Sequence, residues 1–201
     1  MKVLNSAKDT RYFLIAIFLS LNLCSNQSVG QSIQQFDEQV LINLSQHRSP
    51  EKTSAMLFLS KKHLYGDIGV PAGLFLGGVL AGDQKMRQNA LYVASSTAVS
   101  SGFSFLIKKL GKRRRPYVKN VNILPVYFAK GSSFPSGHTT ASISTAMALS
   151  RAYPKWYVIG PSFLWAGSVS YSRMYLGVHY PTDVAAGALI GAGTALALPR
   201  P

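Results

Sequence analysis

The chain has 201 residues, of which 47% are hydrophobic and 14% charged, and its formal net charge is +14. That length fits one domain with a core large enough to fold alone. The positive charge indicates an anionic partner, such as a nucleic acid, an anionic membrane surface or a phosphorylated substrate. Cys24 is the only cysteine, which excludes an internal disulfide and a cysteine-ligated metal site.

The N-terminus is typical of an export signal. A basic start precedes the apolar run 12–23, which is too short to span a membrane comfortably, and small residues up to Gly30 suit cleavage. An uncleaved anchor and a lipoprotein that would use Cys24 are the alternatives. The sequence therefore predicts a signal peptide or N-terminal anchor over residues 1–30 and a single helical domain over residues 31–201.

Hydrophobic spacing predicts helices throughout the rest of the chain, over residues 36–48, 51–64, 68–82, 86–107, 139–153, 156–176 and 182–198. Few windows alternate with a period of two, so an extensive β-sheet is not expected. The segment between Asp67 and Asp83 would be about 22 Å long as a helix, whereas a bilayer core of about 30 Å requires about 20 residues. Several segments are rich in Ser, Gly and Ala, which pack closely in lipid or in a compact bundle. We expect an exported bundle that rests on the membrane, with an integral multi-span protein as the alternative.

The first motif is KKLGKRRRPY, residues 108–117, in which Lys108 is followed six residues later by Arg115 and Pro116. A basic cluster alone is most often a solvated charge run or a membrane-surface anchor. Nucleic acid is not expected as a partner, because the export signal and the apolar chain argue against it. The spacing indicates a third possibility, in which a lysine point charge and a planar guanidinium converge on one phosphate.

The second motif is the stretch Pro135–His138, directly before the small-residue helix 139–153. Helix starts expose free backbone N–H groups and a positive dipole end, which together bind phosphate. Gly137 permits close approach of an anion, Ser136 adds a hydroxyl donor, and His138 would face the bound anion. The alternative for His138 is a capping or packing role.

The third motif is SRMYLGVHYPTD, residues 172–183, which brings Arg173 into an apolar segment where an unpaired charge is costly. Asp183 lies in the first turn of the helix that Pro181 begins. Its carboxylate could accept the Nδ1 proton of His179 and leave the Nε2 lone pair free, as a nucleophile requires. The alternative is a helix N-terminus with an incidental histidine.

The three motifs together provide three cations, an anion-binding turn and two histidines of which only His179 has an evident carboxylate partner. This division predicts phosphoryl transfer through a covalent intermediate, in which His179 attacks phosphorus and His138 protonates the leaving oxygen. No metal or cofactor is expected, since the cations supply the charge that a metal would carry.

The motifs K-x6-R-P, P-S-G-H and S-R-x5-H-x3-D resemble the signature of the type 2 phosphatidic acid phosphatase and vanadium haloperoxidase superfamily, over about residues 60–195. The resemblance implies an all-α compact helical bundle with the phosphate site at one end. It implies His179 as nucleophile, His138 as general acid and Asp183 as orienter. Phosphate would be bound by the remaining motif residues, which are Lys108, Arg115, Ser136, Gly137 and Arg173.

The resemblance implies an extracytoplasmic phosphatase that contacts the membrane surface and acts on phosphate monoesters or pyrophosphates, with lipid phosphates or isoprenoid pyrophosphates as the favoured substrates. Small soluble phosphomonoesters are the second possibility. A vanadate-dependent haloperoxidase and a non-catalytic anion-binding membrane protein are more remote alternatives. The active site is expected on the periplasmic, non-cytoplasmic side.

Overall fold

The computed structural model describes residues 30–201, so the predicted signal peptide or anchor and Cys24 lie outside the described residues. The described part of the chain is all-α and contains no β-strand, as the sequence predicts. The helices are α1 (30–46), α2 (Pro50–Leu64), α3 (Val70–Leu80), α4 (Gln84–Gly111), α5 (Pro116–Lys119), α6 (Gly137–Ala152), α7 (Trp156–Tyr175) and α8 (Pro181–Ala197).

α2 and α3 are joined by a π-helical turn, Tyr65–Gly69, so that helical backbone continues from Pro50 to Leu80. The sequence instead predicts a break at Asp67. A π turn inserts an extra residue into a helix without ending it. The glycines and the proline of this stretch are as compatible with a loop as with a π turn, so the sequence does not distinguish the two. The continuous helical run Pro50–Leu80 is much longer than the separate segment between Asp67 and Asp83. The shortness of that segment was one reason to expect a bundle that rests on the membrane.

Polar N-caps set the starts of two helices. Ser49 accepts a hydrogen bond from the backbone N–H of Lys52 at 3.3 Å, and Asp83 accepts one from that of Met86 at 2.9 Å. Each cap satisfies an otherwise free N–H group in the first turn. α4 ends at Lys112, which adopts a left-handed conformation with φ of 38° and turns the chain into the basic linker.

α6 lies at the centre of the bundle and packs against α4, α7 and α8. Its contact with α8 depends on Gly187 and Gly191, one turn apart. A Cβ at Gly187 would lie 2.7 Å from the carbonyl oxygen of Ser136, and one at Gly191 would overlap the carbonyl oxygen of Thr140. Glycine thus permits the close backbone approach that is common between membrane helices, and this approach sets the start of α6 beside the start of α8.

The bundle buries small polar side chains and exposes large apolar ones. Between α4 and α6, the hydroxyls of Thr97 and Thr145 are hydrogen-bonded at 2.8 Å, and several buried serines surround them. On the outside, Leu80 is 88% exposed and Phe103 is 51% exposed. Among the described helices, one within Gln84–Lys119 is long and apolar enough to cross a membrane. This distribution is the reverse of that in water-soluble domains, where large apolar side chains fill the core.

Candidate active site

The structure brings the predicted site residues together at one end of the bundle, where α4 and α7 end and α6 and α8 begin. The carbonyl oxygen of Ser132 accepts hydrogen bonds from Lys108 Nζ at 3.1 Å and from Arg115 Nη2 at 3.5 Å. Arg115 Nη1 in turn lies 3.5 Å from His179 Nε2. The first and third motifs therefore lie at one place, as the resemblance to the phosphatase superfamily implies.

Arg115 is buried and held by backbone carbonyls. Its guanidinium donates to the oxygens of Gly131 at 3.1 Å, Val178 at 2.8 Å and Lys130 at 2.8 Å. These bonds fix the guanidinium against the loop that precedes α6. They satisfy its donors without neutralising its charge.

Arg173 is 2% exposed and is held by hydroxyl groups. It donates to Ser60 Oγ and, over 2.7 Å, to Tyr127 OH, while its Nε is buried without a partner among the described atoms. Tyr127 and Ser60 were not singled out in the sequence, because nothing in their local pattern links them to an arginine so distant in the chain.

Within residues 30–201, the ion pairs do not include Lys108, Arg115 or Arg173. Arg115 and Arg173 are buried and Lys108 is half-buried. A buried charge without a counter-charge is costly, so this cluster of cations favours the binding of an anion. This cationic end opens to solvent through a cavity of about 390 Å³ between the basic linker and Gly131–Ser132.

The start of α6 forms one wall of the site. Ser136 is buried, and its Oγ accepts a hydrogen bond from Thr139 at 3.0 Å while its backbone N–H donates to the Asp183 carbonyl at 3.0 Å. No side chain caps this helix start. A Cβ at Gly137 would meet only Ser104 Oγ, at 3.8 Å, so protein packing does not demand glycine there. The free amides of the first turn remain available to an anion.

His179 and Asp183 are paired, although loosely. His179 Nδ1 lies 3.6 Å from Asp183 Oδ2, beyond hydrogen-bond distance, and the imidazole is 2% exposed. Asp183 Oδ2 instead accepts hydrogen bonds from Ser133 Oγ and, at 2.9 Å, from the Tyr180 backbone N–H. Catalytic hydrogen bonds are often long before substrate binds and tighten afterwards. The Nε2 atom faces Arg115 and the cations, which is the direction that an attacking nitrogen needs.

Arg113 is a site residue that the sequence analysis missed. Its guanidinium donates to Asp183 Oδ1 at 2.6 Å and to Asp37 Oδ2 at 2.9 Å, and it lies 4.1 Å above the ring of Tyr180. Asp37, on α1, also accepts from the backbone N–H of Thr182 at 3.0 Å. The sequence does contain three consecutive arginines, residues 113–115, but the K-x6-R-P spacing selects only the third of them.

His138 has neighbours that the sequence analysis did not assign. Its ring centroid is 3.9 Å from that of His63 on α2, with a tilt of 45°. His63 Nδ1 in turn lies 2.9 Å from Asp67 Oδ2. The interpretation that only one histidine has access to a carboxylate is therefore incomplete. The signal was the spacing His-x3-Asp, which residues 63–67 share with residues 179–183.

Both histidines of the motifs are uncharged at neutral pH. Burial, followed by the charges of neighbouring cations, lowers the pKa of His138 to about 2. Burial likewise lowers the pKa of His179 to about 4, against the opposing effect of Asp183. A neutral imidazole retains the lone pair that a nucleophile requires, and a phosphate anion bound among the cations would favour protonation of the second ring.

The chain is similar to a known protein family and to several known proteins. The family model described as "PAP2 superfamily" matches residues 89–200. YbjG of Escherichia coli K12 is 31% identical over 159 residues, covering 75% of this chain and 74% of its own. The undecaprenyl-diphosphatase of Sulfolobus acidocaldarius is 29% identical over 187 residues, covering 90% and 82%.

Solved structures share the fold. The transmembrane PAP2-type phosphatidylglycerolphosphate phosphatase from Bacillus subtilis superimposes with a TM-score of 0.68 at 21% identity, covering 90% of this chain and 92% of its own. LpxE from Aquifex aeolicus superimposes with a TM-score of 0.62 at 24% identity, covering 80% and 93%. The all-α arrangement of these proteins is the arrangement found here.

Proposed function

Because the chain belongs to the PAP2 superfamily, we propose that it hydrolyses lipid phosphates or isoprenoid pyrophosphates through a phosphohistidine intermediate. It is a hydrolase of phosphate ester or pyrophosphate bonds. The observation that carries the substrate proposal is the cluster of three cations without carboxylate partners, which faces two neutral histidines. A phosphate group supplies the missing negative charge.

In the first step, His179 Nε2 forms a bond to phosphorus as the bond from phosphorus to the leaving oxygen breaks. The bound phosphate anion favours the protonated form of His138, which gives its proton to the leaving oxygen and becomes neutral. Lys108, Arg115 and Arg173 stabilise the charge on the non-bridging oxygens, together with the free amides at Gly137. Asp183 keeps the Nδ1 proton of the attacking ring in place.

In the second step, a water oxygen attacks phosphorus as the P–N bond breaks, and the electron pair returns to His179 Nε2. His138 accepts the water proton and regains the form in which it began. The second step releases inorganic phosphate from the histidine. The leaving group of the first step is an alcohol when the substrate is a monoester and a monophosphorylated lipid when the substrate is a pyrophosphate. The protein's charge and protonation are unchanged after the cycle.

A lipid substrate is supported by the outer surface of the bundle. We infer that α3 and residues 91–106 of α4 lie in the bilayer, because large apolar side chains such as Leu76, Leu80 and Phe103 are exposed along them. A groove of about 500 Å³ also runs along α6 from Ser142, one turn beyond His138. It is lined mainly by apolar residues of the π turn, α3, α6 and α7, which suits an acyl or isoprenoid chain.

We propose an extracytoplasmic active site, on the basis of the export-signal pattern in the leader. The basic linker at the same end would favour the cytoplasm under the positive-inside rule, but several of its cations are required by the phosphate site. Cysteine labelling in intact cells tests the proposal directly. With Cys24→Ser as background, Lys119→Cys at the site end should react with a membrane-impermeant maleimide, and Lys155→Cys at the opposite end should not. The reverse pattern would place the site in the cytoplasm.

The intermediate provides the direct test of the chemistry. Detergent-solubilised protein should be incubated with ³²P-labelled substrate and quenched in alkali, in which phosphohistidine survives. The label should appear on the wild-type protein and be absent from His179→Ala. The substrates to compare are undecaprenyl pyrophosphate, phosphatidic acid, phosphatidylglycerol phosphate and glucose 6-phosphate. Preference for glucose 6-phosphate would reject the lipid assignment, and turnover by His179→Ala would reject the nucleophile.

A further inference from the structure

The pair formed by the half-buried His63 and the buried Asp67 lies beside the proposed general acid, His138. Asp67 is 2% exposed, and its Oδ2 accepts hydrogen bonds from His63 Nδ1 at 2.9 Å and from Ser142 Oγ at 3.1 Å. Its Oδ1 is buried with no partner among the described atoms. The ring of His63 also packs against the ring of His138, with 3.9 Å between the two ring centroids. The three groups therefore form a row from carboxylate to imidazole to imidazole.

The π turn is what brings Asp67 inward. One extra residue per turn rotates the following side chains about the helix axis, and such turns occur frequently at functional sites. Gly66 fits beneath Trp165 in this turn, since a Cβ there would overlap the indole ring. The turn thus places a carboxylate within the bundle at the level of α6, where an ordinary α-helix would present another residue.

The charge around His138 explains why such a pair would be useful. Lys108 and Arg173 lower the pKa of His138 in addition to the effect of burial, and His63 and His179 act in the same direction when they are charged. A general acid must nevertheless carry a proton when the leaving group departs. The ring contact of His138 leads to a carboxylate, Asp67, through one intervening ring, that of His63.

We propose that His63 and Asp67 form a positioning pair for His138, an inference that rests on the proposed phosphatase function. Asp67 accepts the Nδ1 hydrogen bond of His63 and so fixes the orientation of that ring. The His63 ring packs against His138 and holds it towards the leaving oxygen, and the Asp67 carboxylate beyond it compensates the charge of the protonated His138 ring. Neither residue is assigned contact with the substrate.

Leaving groups of different basicity separate this role from a general structural one. An alkyl phosphate releases a strongly basic alkoxide and depends on the acid, whereas 2,4-dinitrophenyl phosphate releases a stable phenolate and does not. We expect His63→Gln and Asp67→Asn to lower kcat for a soluble alkyl phosphate by roughly tenfold to a hundredfold, within the range of about 10²–10⁴ that general acid catalysis contributes. Their kcat for the dinitrophenyl ester should remain within about threefold of the wild type.

The matched controls are His47→Gln and Asp83→Asn. His47 is exposed, and its ring lies 2.9 Å from the Asn43 carbonyl oxygen. At position 83, asparagine is as good an N-cap as aspartate. Both controls should leave the ratio of the two rates unchanged. Vanadate inhibition constants, measured on every variant, report whether the phosphate site is intact.

Equal loss with both esters, or no loss with either, in a variant that binds vanadate normally would overturn the inference. If His63→Gln fails to bind vanadate, His63→Asn and Asp67→Asn give the same comparison with smaller disturbance. Absence of turnover by the wild-type protein on any phosphate ester would instead overturn the proposed function. The two failures are therefore distinguishable.

Discussion

Replacement of Arg113 by methionine should lower the free energy of unfolding more than the loss of an exposed charge in the basic linker would. Arg113 bridges Asp37 and Asp183, whose side chains are both 0% exposed, while its own side chain is 27% exposed. Arg113→Met retains most of the side-chain volume and leaves two buried carboxylates without their counter-charge. Removal of one partner from a buried pair costs about 3–5 kcal/mol.

We expect a loss of about 3 kcal/mol, at the lower end of that range, because the guanidinium is partly solvated. For a chain of this size, each kcal/mol shifts Tm by roughly 2–4 °C, so Tm should fall by about 6–12 °C. Circular dichroism melting in detergent measures the shift. The matched control is Arg114→Met, which removes an exposed charge from the adjacent position.

The double variant Arg113→Met/Asp37→Asn tests the cause. It removes one of the two stranded charges, so it should lose at least about 1 kcal/mol less than the sum of the single changes. The bridge also affects the site, since Arg113 contributes to the low pKa of Asp183 against the opposing effect of burial. Equal melting temperatures for Arg113→Met and Arg114→Met, or strict additivity in the double variant, would refute the reasoning.

Three further predictions concern the nucleophile and the helix packing. Because the pKa of His179 is lowered to about 4, the ring stays neutral as pH falls from 7 to 5, and the acidic loss of kcat/KM on an aryl phosphate should begin near pH 4 instead of 6.5. Asp183→Asn should reduce kcat by about 10²–10⁴-fold. It should also shift the acidic loss of kcat/KM to lower pH, because Asp183 raises the pKa of the His179 ring. An unchanged kcat would contradict the pairing of His179 with Asp183. Gly191→Ala should lower stability by about 1–3 kcal/mol through overlap with α6, whereas Gly193→Ala, with no atom within 4 Å of its Cβ, should be neutral or stabilising in the same melting assay.

The helices could be predicted because their causes are local. Apolar spacing of three and four residues, the N-cap Asp83 and the helix-starting Pro181 are all visible in the sequence. The cationic and histidine residues of the proposed site were selected from the sequence by their spacing within each motif, and their roles stay predictions. The structure brings the three motifs to one end of the bundle, as that interpretation requires.

The missing parts of the site are long-range or depend on unusual backbone. Asp37 and Arg113 are 76 residues apart in the chain, and no local sequence pattern around either residue predicts that they form an ion pair. The pairing of His63 with Asp67 requires a π turn where the sequence suggested a break. Serine-rich helices were compatible with both lipid and water, and only the three-dimensional distribution reveals which serines face inward, among them Ser96, Ser100 and Ser144.

The two His-x3-Asp pairs differ in how their carboxylates are neutralised, and this difference matches the work proposed for each. Asp183 accepts from Arg113 at 2.6 Å, so its charge is already balanced and it mainly orients the attacking ring. Among the described residues, no lysine or arginine forms an ion pair with Asp67, whose partner is the ring of His63. Its negative charge is thus left to compensate the proton that His138 must hold and then release. An in-line displacement places nucleophile and leaving group on opposite sides of phosphorus, so one pair serves attack and the other serves departure.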